Sequence, residues 1–147
     1  MSDAAELLAK HPEAPSDPQL LAEVLAELAS CAQACDTCMD ACLSEESVAH
    51  LVDCIRACRD CADVCALTER LAARPVGPHR AALAAQLQAC IVMCGACAAA
   101  CDSHAEMHDH CRVCAAACRS CDAICRRYTQ ALTREETSAQ ITVQGEE

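Results

Sequence analysis

Between about residues 17 and 132, apolar residues recur at steps of three and four with polar residues between them, the period of helices that each bury one face. In four stretches the recurring residue is the same. "CAQACDTCMDAC" places Cys31, Cys35, Cys38 and Cys42 at steps of 4-3-4, and "CIRACRDCADVC" repeats the rhythm with Cys54, Cys58, Cys61 and Cys65. "CIVMCGACAAAC" does so with Cys90, Cys94, Cys97 and Cys101, and "CAAACRSCDAIC" with Cys114, Cys118, Cys121 and Cys125. Residues three and four apart are neighbours on a helix surface, so each set of sulfurs shares one face. Cys111 stands three residues before the last run.

The breaks between these stripes predict where the helices end. Ser16 or Asp17 can cap a helix that carries Pro18 in its first turn and runs to about Leu43. Ser44 is then expected to cap a second, with Glu45 and Glu46 against the positive end of its dipole. "RPVGPH" at 74–79 ends it, and Asp102 or Ser103 is the expected cap after the third. The predicted helices are therefore about 17–43, 45–73, 79–101 and 104–132, followed by a polar, frayed tail at 133–147. Two tight links force antiparallel neighbours. The predicted fold is all-α: a single domain over 1–147, an up-down-up-down four-helix bundle, with "DAAELLAK" as a short extra helix across one end.

Extending each stripe distinguishes two ends. Backwards from Cys31 it runs through Leu28, Val24 and Leu21, backwards from Cys90 through Leu87 and Leu83, and forwards from Cys125 through Tyr128 and Leu132. In an antiparallel bundle these residues meet at one end as a hydrophobic plug. His50, His104, Met107, His108 and His110 gather at the other, with His104 and Met107 expected to continue the last stripe in register.

Composition makes the thiols the core itself. The 147 residues include 17 cysteines but no Phe, no Trp and one Tyr, so sulfur must fill the space that aromatics usually take. A stapled secreted fold is disfavoured by the odd cysteine count and by an N-terminal stretch with no signal-peptide pattern, so the expected compartment is the reducing cytoplasm. A net charge of −11 speaks against nucleic acid or an anionic membrane as partner. Charged residues are expected to interrupt every helix, leaving no membrane span.

Thiols at this spacing stand about 5 to 6 Å apart at their Cβ atoms, near enough for two to grip one metal ion. A run from Cys31 to Cys42 rises about 16 Å, and four such faces exceed what one mononuclear site requires. Soft thiolates select Cu(I), zinc or iron-sulfur clusters. Closed Cys₄ zinc sites would each leave about −2 charge buried, whereas bridging thiolates matched by Cu(I) approach neutrality with roughly 15 to 20 ions. Copper is favoured, with a thiol-based zinc or redox buffer as the alternative. Cluster-binding loops, Glu-x-x-His pairs for di-iron and a thioredoxin context are all missing, and no catalytic base or substrate motif points to an enzyme. Imidazole and thioether at the open end suit admission of the same ion. Met39 and Met93 read as packing, and His11 and His79 as surface residues.

The four stripes and the histidine-bearing end together resemble the cytosolic bacterial copper storage proteins over residues 17–132. That resemblance implies a homotetramer of bundles whose inward cysteines hold many Cu(I) ions, with the metal admitted at the histidine end. A copper chaperone or small thiol is the expected donor. Cys111 corresponds to an added ligand near the mouth.

Overall fold

A computed structural model describes residues 2–145. Helix α1 (Asp3–Ala9) is followed by α2 (Pro18–Leu43), a short 3-10 turn (Val48–His50), α3 (Val52–Ala72), α4 (Arg80–Asp102) and α5 (Asp109–Gly145). The described residues contain helices and no strand. Asp17 caps α2, its carboxylate accepting from the Leu20 N–H at 3.0 Å, with Pro18 in the first turn where a missing N–H costs nothing. In the link between α3 and α4, Gly77 adopts φ +130°, a conformation open to a residue without Cβ.

The four long helices form a square in which α2 and α4 each pack against α3 and α5. Sulfur pairs across each seam run in opposite order along the two chains. Cys54, Cys61 and Cys65 of α3 meet Cys101, Cys94 and Cys90 of α4 at 3.4, 3.9 and 3.8 Å. On the other side, Cys31 and Cys35 of α2 meet Cys118 and Cys114 of α5 at 3.9 and 3.8 Å. Neighbouring helices are therefore antiparallel.

Below the thiols, Leu21, Val24, Leu28 and Leu87 are fully buried, and Leu83, Tyr128 and Leu132 close the end. Burying each aliphatic side chain contributes about 1.5 to 3 kcal/mol, so this plug anchors the bundle. Thr68 occupies the next stripe position after Cys65; its hydroxyl donates to the Val64 carbonyl at 2.6 Å and accepts from Gln86 Nε2 at 3.0 Å. Both of its hydrogen-bonding roles are filled, which makes a buried hydroxyl tolerable there. Helix α1 lies against α2 through Ala5 and Leu8.

Four expectations need correction. The second predicted helix starts at Val52, not near 45, because Ser44 ends α2: its hydroxyl donates to the Asp40 carbonyl at 3.0 Å and its N–H bonds Ala41. Glu45 and Glu46 consequently lie in a link and not in a helix's first turn. Ser103 likewise ends α4, donating to the Ala99 carbonyl at 3.0 Å, so α5 begins at Asp109 and His104 and Met107 belong to the turn before it. The tail at 133–145 continues α5 as an exposed helix, tied at its start by Arg80 to Glu135 and by Arg80 to Glu136 at 3.8 Å, while 146–147 lie outside the described residues. Finally, charges do not interrupt every helix. No charged residue falls between Arg80 and Asp102, and α4 alone, among the described residues, is long and apolar enough to cross a membrane, with mean hydropathy 1.7. Its Cys90, Cys94, Cys97 and Cys101 face nonetheless lines the thiol core.

Candidate metal centre

The helical period turns every stripe inward. All 17 cysteines are free thiols, and none is more than 2 % exposed. Their sulfurs form a continuous column. Cys90 and Cys125 lie at its foot beside the plug, and above them Cys31, Cys65, Cys94 and Cys121 form a ring. Further up come Cys31 with Cys35, Cys61 and Cys118, then Cys35 with Cys97, Cys114 and Cys118. Cys38, Cys54, Cys58 and Cys101 follow, and Cys38, Cys42, Cys54 and Cys111 complete the top. Within each group all sulfurs lie within 4.8 Å of one another.

Those separations match metal ligation with little movement. A metal-sulfur bond of about 2.3 Å sets the ligands of a trigonal ion about 4 Å apart and of a linear one about 4.6 Å apart. Cys54–Cys101, Cys58–Cys101 and Cys58–Cys114 already stand at 3.4, 3.6 and 3.8 Å. The groups also share members: Cys31, Cys35, Cys38, Cys54 and Cys118 each belong to two of them. Separate mononuclear Cys₄ sites would each need four thiolates of their own. Shared sulfurs favour bridging between ions instead.

At the top, burial disfavours the thiolate form of Cys42 and Cys111. Burial, reinforced by Cys54, pushes Cys42 up to about 11, and burial with Cys54 and Cys42 pushes Cys111 up to about 12. At the foot, contact with Cys121 and Cys90 together with burial raises Cys125. An arriving cation must therefore displace protons, and each cation replacing a proton leaves the buried charge unchanged.

Of the five predicted ligands at the open end, the structure ties two to the column. His110 Nδ1 lies 3.5 Å from Cys38 Sγ and 3.6 Å from Cys111 Sγ. His108 stacks on His110 with ring centroids 5.4 Å apart. His104 is half-buried in the turn before α5, whereas His50 in the 3-10 turn and Met107, 79 % exposed, reach solvent at the same end. Met39 and Met93 pack against the core, and His11 and His79 are exposed, as expected. Sequence reasoning missed Glu45, whose carboxylate contacts both His108 and His110. Its signal was an acidic residue in the one link that faces the histidine-bearing link.

An all-α bundle with a buried column of reduced thiols, bordered by imidazoles at one end and plugged at the other, is by class a protein that binds soft metal ions in number. The sequence model of the copper storage protein family matches residues 17–130, and the chain belongs to that family. Among solved structures, it is similar to the Streptomyces lividans copper storage protein Ccsp loaded with 10 copper equivalents, at 45% identity and a TM-score of 0.83, covering 86% of this chain and 98% of that one. The five-copper form of the cytosolic protein from the same organism is 48% identical with a TM-score of 0.74, over 76% of this chain and 93% of that one. The Cu(I)-bound copper storage protein BsCsp3 is 36% identical with a TM-score of 0.65, over 74% and 97%. No curated protein sequence matches.

Proposed function

We propose that this chain is a non-enzymatic cytosolic store that sequesters many Cu(I) ions on the thiolates of its core and so protects against copper toxicity. The sharing of Cys31, Cys35, Cys38, Cys54 and Cys118 between neighbouring groups carries the reading, because bridging thiolates suit a monovalent soft ion in number. All 17 cysteines are assigned to the store, with a load on the order of 15 to 20 ions at about one charge per thiolate. His110 and His108, with His50, His104 and Met107 around them, receive the ion from a copper chaperone or a small thiol and pass it to Cys38 and Cys111.

Assembly as a homotetramer is part of the same proposal, and the outer face of α4 supports it. That face is uncharged from residue 81 to 101 and exposes Val92 at 71 %. Gly95 is exposed within it, and a Cβ there would meet nothing within 4 Å in its own chain. Glycine in a helix interior costs about 1 kcal/mol against alanine, so its use where the chain itself leaves room fits close approach by a second copy. On a protein of charge −11, an uncharged face is also where two copies avoid mutual repulsion.

Anaerobic titration of the reduced protein with Cu(I) against a competing chelator is the test, followed by sedimentation of the same sample. A load of ten or more ions per chain on a tetramer is expected (order of magnitude from thiol number and charge). Saturation at one or two ions would overturn the store, zinc outcompeting copper for the thiols would favour the zinc buffer, and a monomer would remove the role of the α4 face.

A further inference from the structure

The net charge of −11 is not spread evenly along the bundle. At the histidine-bearing end, residues 40–53 and 102–112 carry seven carboxylates and one arginine, Arg112. Around the plug, residues 10–20, 69–80 and 126–136 carry seven cationic side chains against five carboxylates. At the acidic end, Asp109 pairs with Arg112 and Asp102 with Arg119, and Glu45 hydrogen-bonds His110. That leaves Asp40, Glu46, Asp53 and Glu106 exposed, each in no ion pair among the described residues. Asp40 stands in the last turn of α2, where the negative end of the helix dipole disfavours an anion, and neither α2 nor α4 carries a basic residue in that turn. The acidic charge is thus held here against local helix stability. Leu43, Val52, Met107 and Val113 are exposed at the same end. Leu43 follows Cys42, Val52 stands two residues before Cys54, and Val113 two after Cys111, so these side chains border the uppermost group of thiols.

We propose that the histidine-bearing end is a docking face for a Cu(I) donor protein that presents its thiolate-held ion in an apolar patch rimmed by lysine and arginine. The proposal rests on the reading that copper enters at this end, and it selects a donor protein over an anionic small thiol. Apolar contact within a charged rim is the anatomy of a protein interface, and opposite charge on the two rims orients the encounter and raises its rate. An anionic copper-thiol complex meets the same rim with repulsion. The cations around the plug add to the selection by turning a basic donor away from the closed end. Transfer itself is ligand exchange. A copper-sulfur bond to the donor breaks as one to a cysteine of the uppermost group forms, the proton of that cysteine passes to the donor's thiolate, and copper remains Cu(I). Asp40, Glu46, Asp53 and Glu106 are no ligands in that step. They place the donor over the column.

The probes are a pair of Cu(I)-loaded Cys-x-x-Cys peptides, flanked by lysines in one and by glutamates in the other, and Cu(I) held by glutathione. Stopped-flow transfer into the reduced full chain at low salt is expected to be about 10-fold or more faster from the lysine peptide than from either anionic probe. At about 0.5 M salt the difference should shrink to within about twofold, because screening then acts over a few ångströms. The peptides also differ in their own hold on copper, so the decisive quantity is the change in their rate ratio between protein variants. Glu46→Lys with Glu106→Lys should abolish or reverse the lysine preference and leave the final load unchanged. Arg74→Glu with Arg134→Glu, an equal change of charge at the plug, should leave the ratio within about twofold of the unsubstituted value. Leu43→Ser with Val113→Ser should slow transfer from the lysine peptide about 3-fold or more without altering transfer from glutathione. A rate ratio that the rim variant does not move, or that the plug variant moves as far, overturns the proposal, and so does glutathione loading as fast as the lysine peptide. If no probe delivers more than one or two ions, the store itself falls; a full load with an unmoved ratio removes only the docking face.

Discussion

The two ends of the bundle use the same helices to opposite effect. At the plugged end, the stripe positions carry Leu21, Val24, Leu28, Leu83, Leu87, Tyr128 and Leu132, all buried, and the helices meet as an ordinary hydrophobic core. At the histidine-bearing end, Leu51 is the large aliphatic side chain buried beneath the links, while Glu45 hydrogen-bonds His110, Ser47 hydrogen-bonds His108, and the two stacked rings are only partly covered. Between them stand thiols, which pack as small hydrophobes when protonated and ligate when not. Aliphatic burial is thereby concentrated below the thiols, and polarity above them.

The sharpest way to break this comparison is at the plug. Leu28 is fully buried directly below Cys31, and Leu28→Ala is expected to cost about 2 to 5 kcal/mol of the empty protein's stability through lost burial and a residual cavity. Copper capacity should be unchanged, because the variant loses no ligand. Denaturant unfolding of empty and loaded samples checks both halves, with loading expected to recover much of the loss by mass action. A fall in capacity matching the fall in stability would mean that plug and column are not separate.

Substitution in the column should invert that pattern. Cys35 belongs to two neighbouring groups, so Cys35→Ala is expected to lower the Cu(I) load by about one or two ions. Removing one sulfur from the empty core should cost only about 1 kcal/mol, since the cavity is small. Chelator competition and denaturant unfolding of the same preparation measure the two. A stability loss as large as that of Leu28→Ala, with capacity intact, would assign Cys35 to packing.

The column was legible in the sequence because a helix converts spacing into direction: four 4-3-4 runs require four inward faces whatever the links do. The plug followed from continuing the same period. The links were harder, since Ser44 and Ser103 are chemically able to begin a helix or to end one, and only the carbonyls of Asp40 and Ala99 decide between them. That ambiguity moved His104 and Met107 off the stripe and hid Glu45, whose two partners are more than sixty residues away in the chain. The uncharged face of α4 was overlooked for another reason. Cysteines drew attention to its inner side, whereas the absence of charge is read only from the residues between them.

The smallest expected effect concerns protons, and it separates the ends by pH. Burial raises Cys42 from 9.0 to about 11 and Cys111 from 9.0 to about 12, so folding favours the protonated thiols. Below pH 9 both groups are protonated in folded and unfolded chains alike, and the stabilising contribution is fully present. As pH rises from 9 through 11 and 12, the unfolded chain releases these protons first, and the contribution is lost. The melting temperature of the empty protein should therefore decline across this interval, and less steeply in Cys42→Ala. Copper-loaded protein should show little of the decline, because metal-bound thiolates have already given up their protons. Tyr128, raised to about 12 by burial in the plug, loses its contribution only between its ordinary 10.0 and 12, so a decline already under way between pH 9 and 10 belongs to the thiols. An empty protein whose stability is flat from pH 9 to 10 would show that the top of the column is wet enough to titrate as an exposed thiol does.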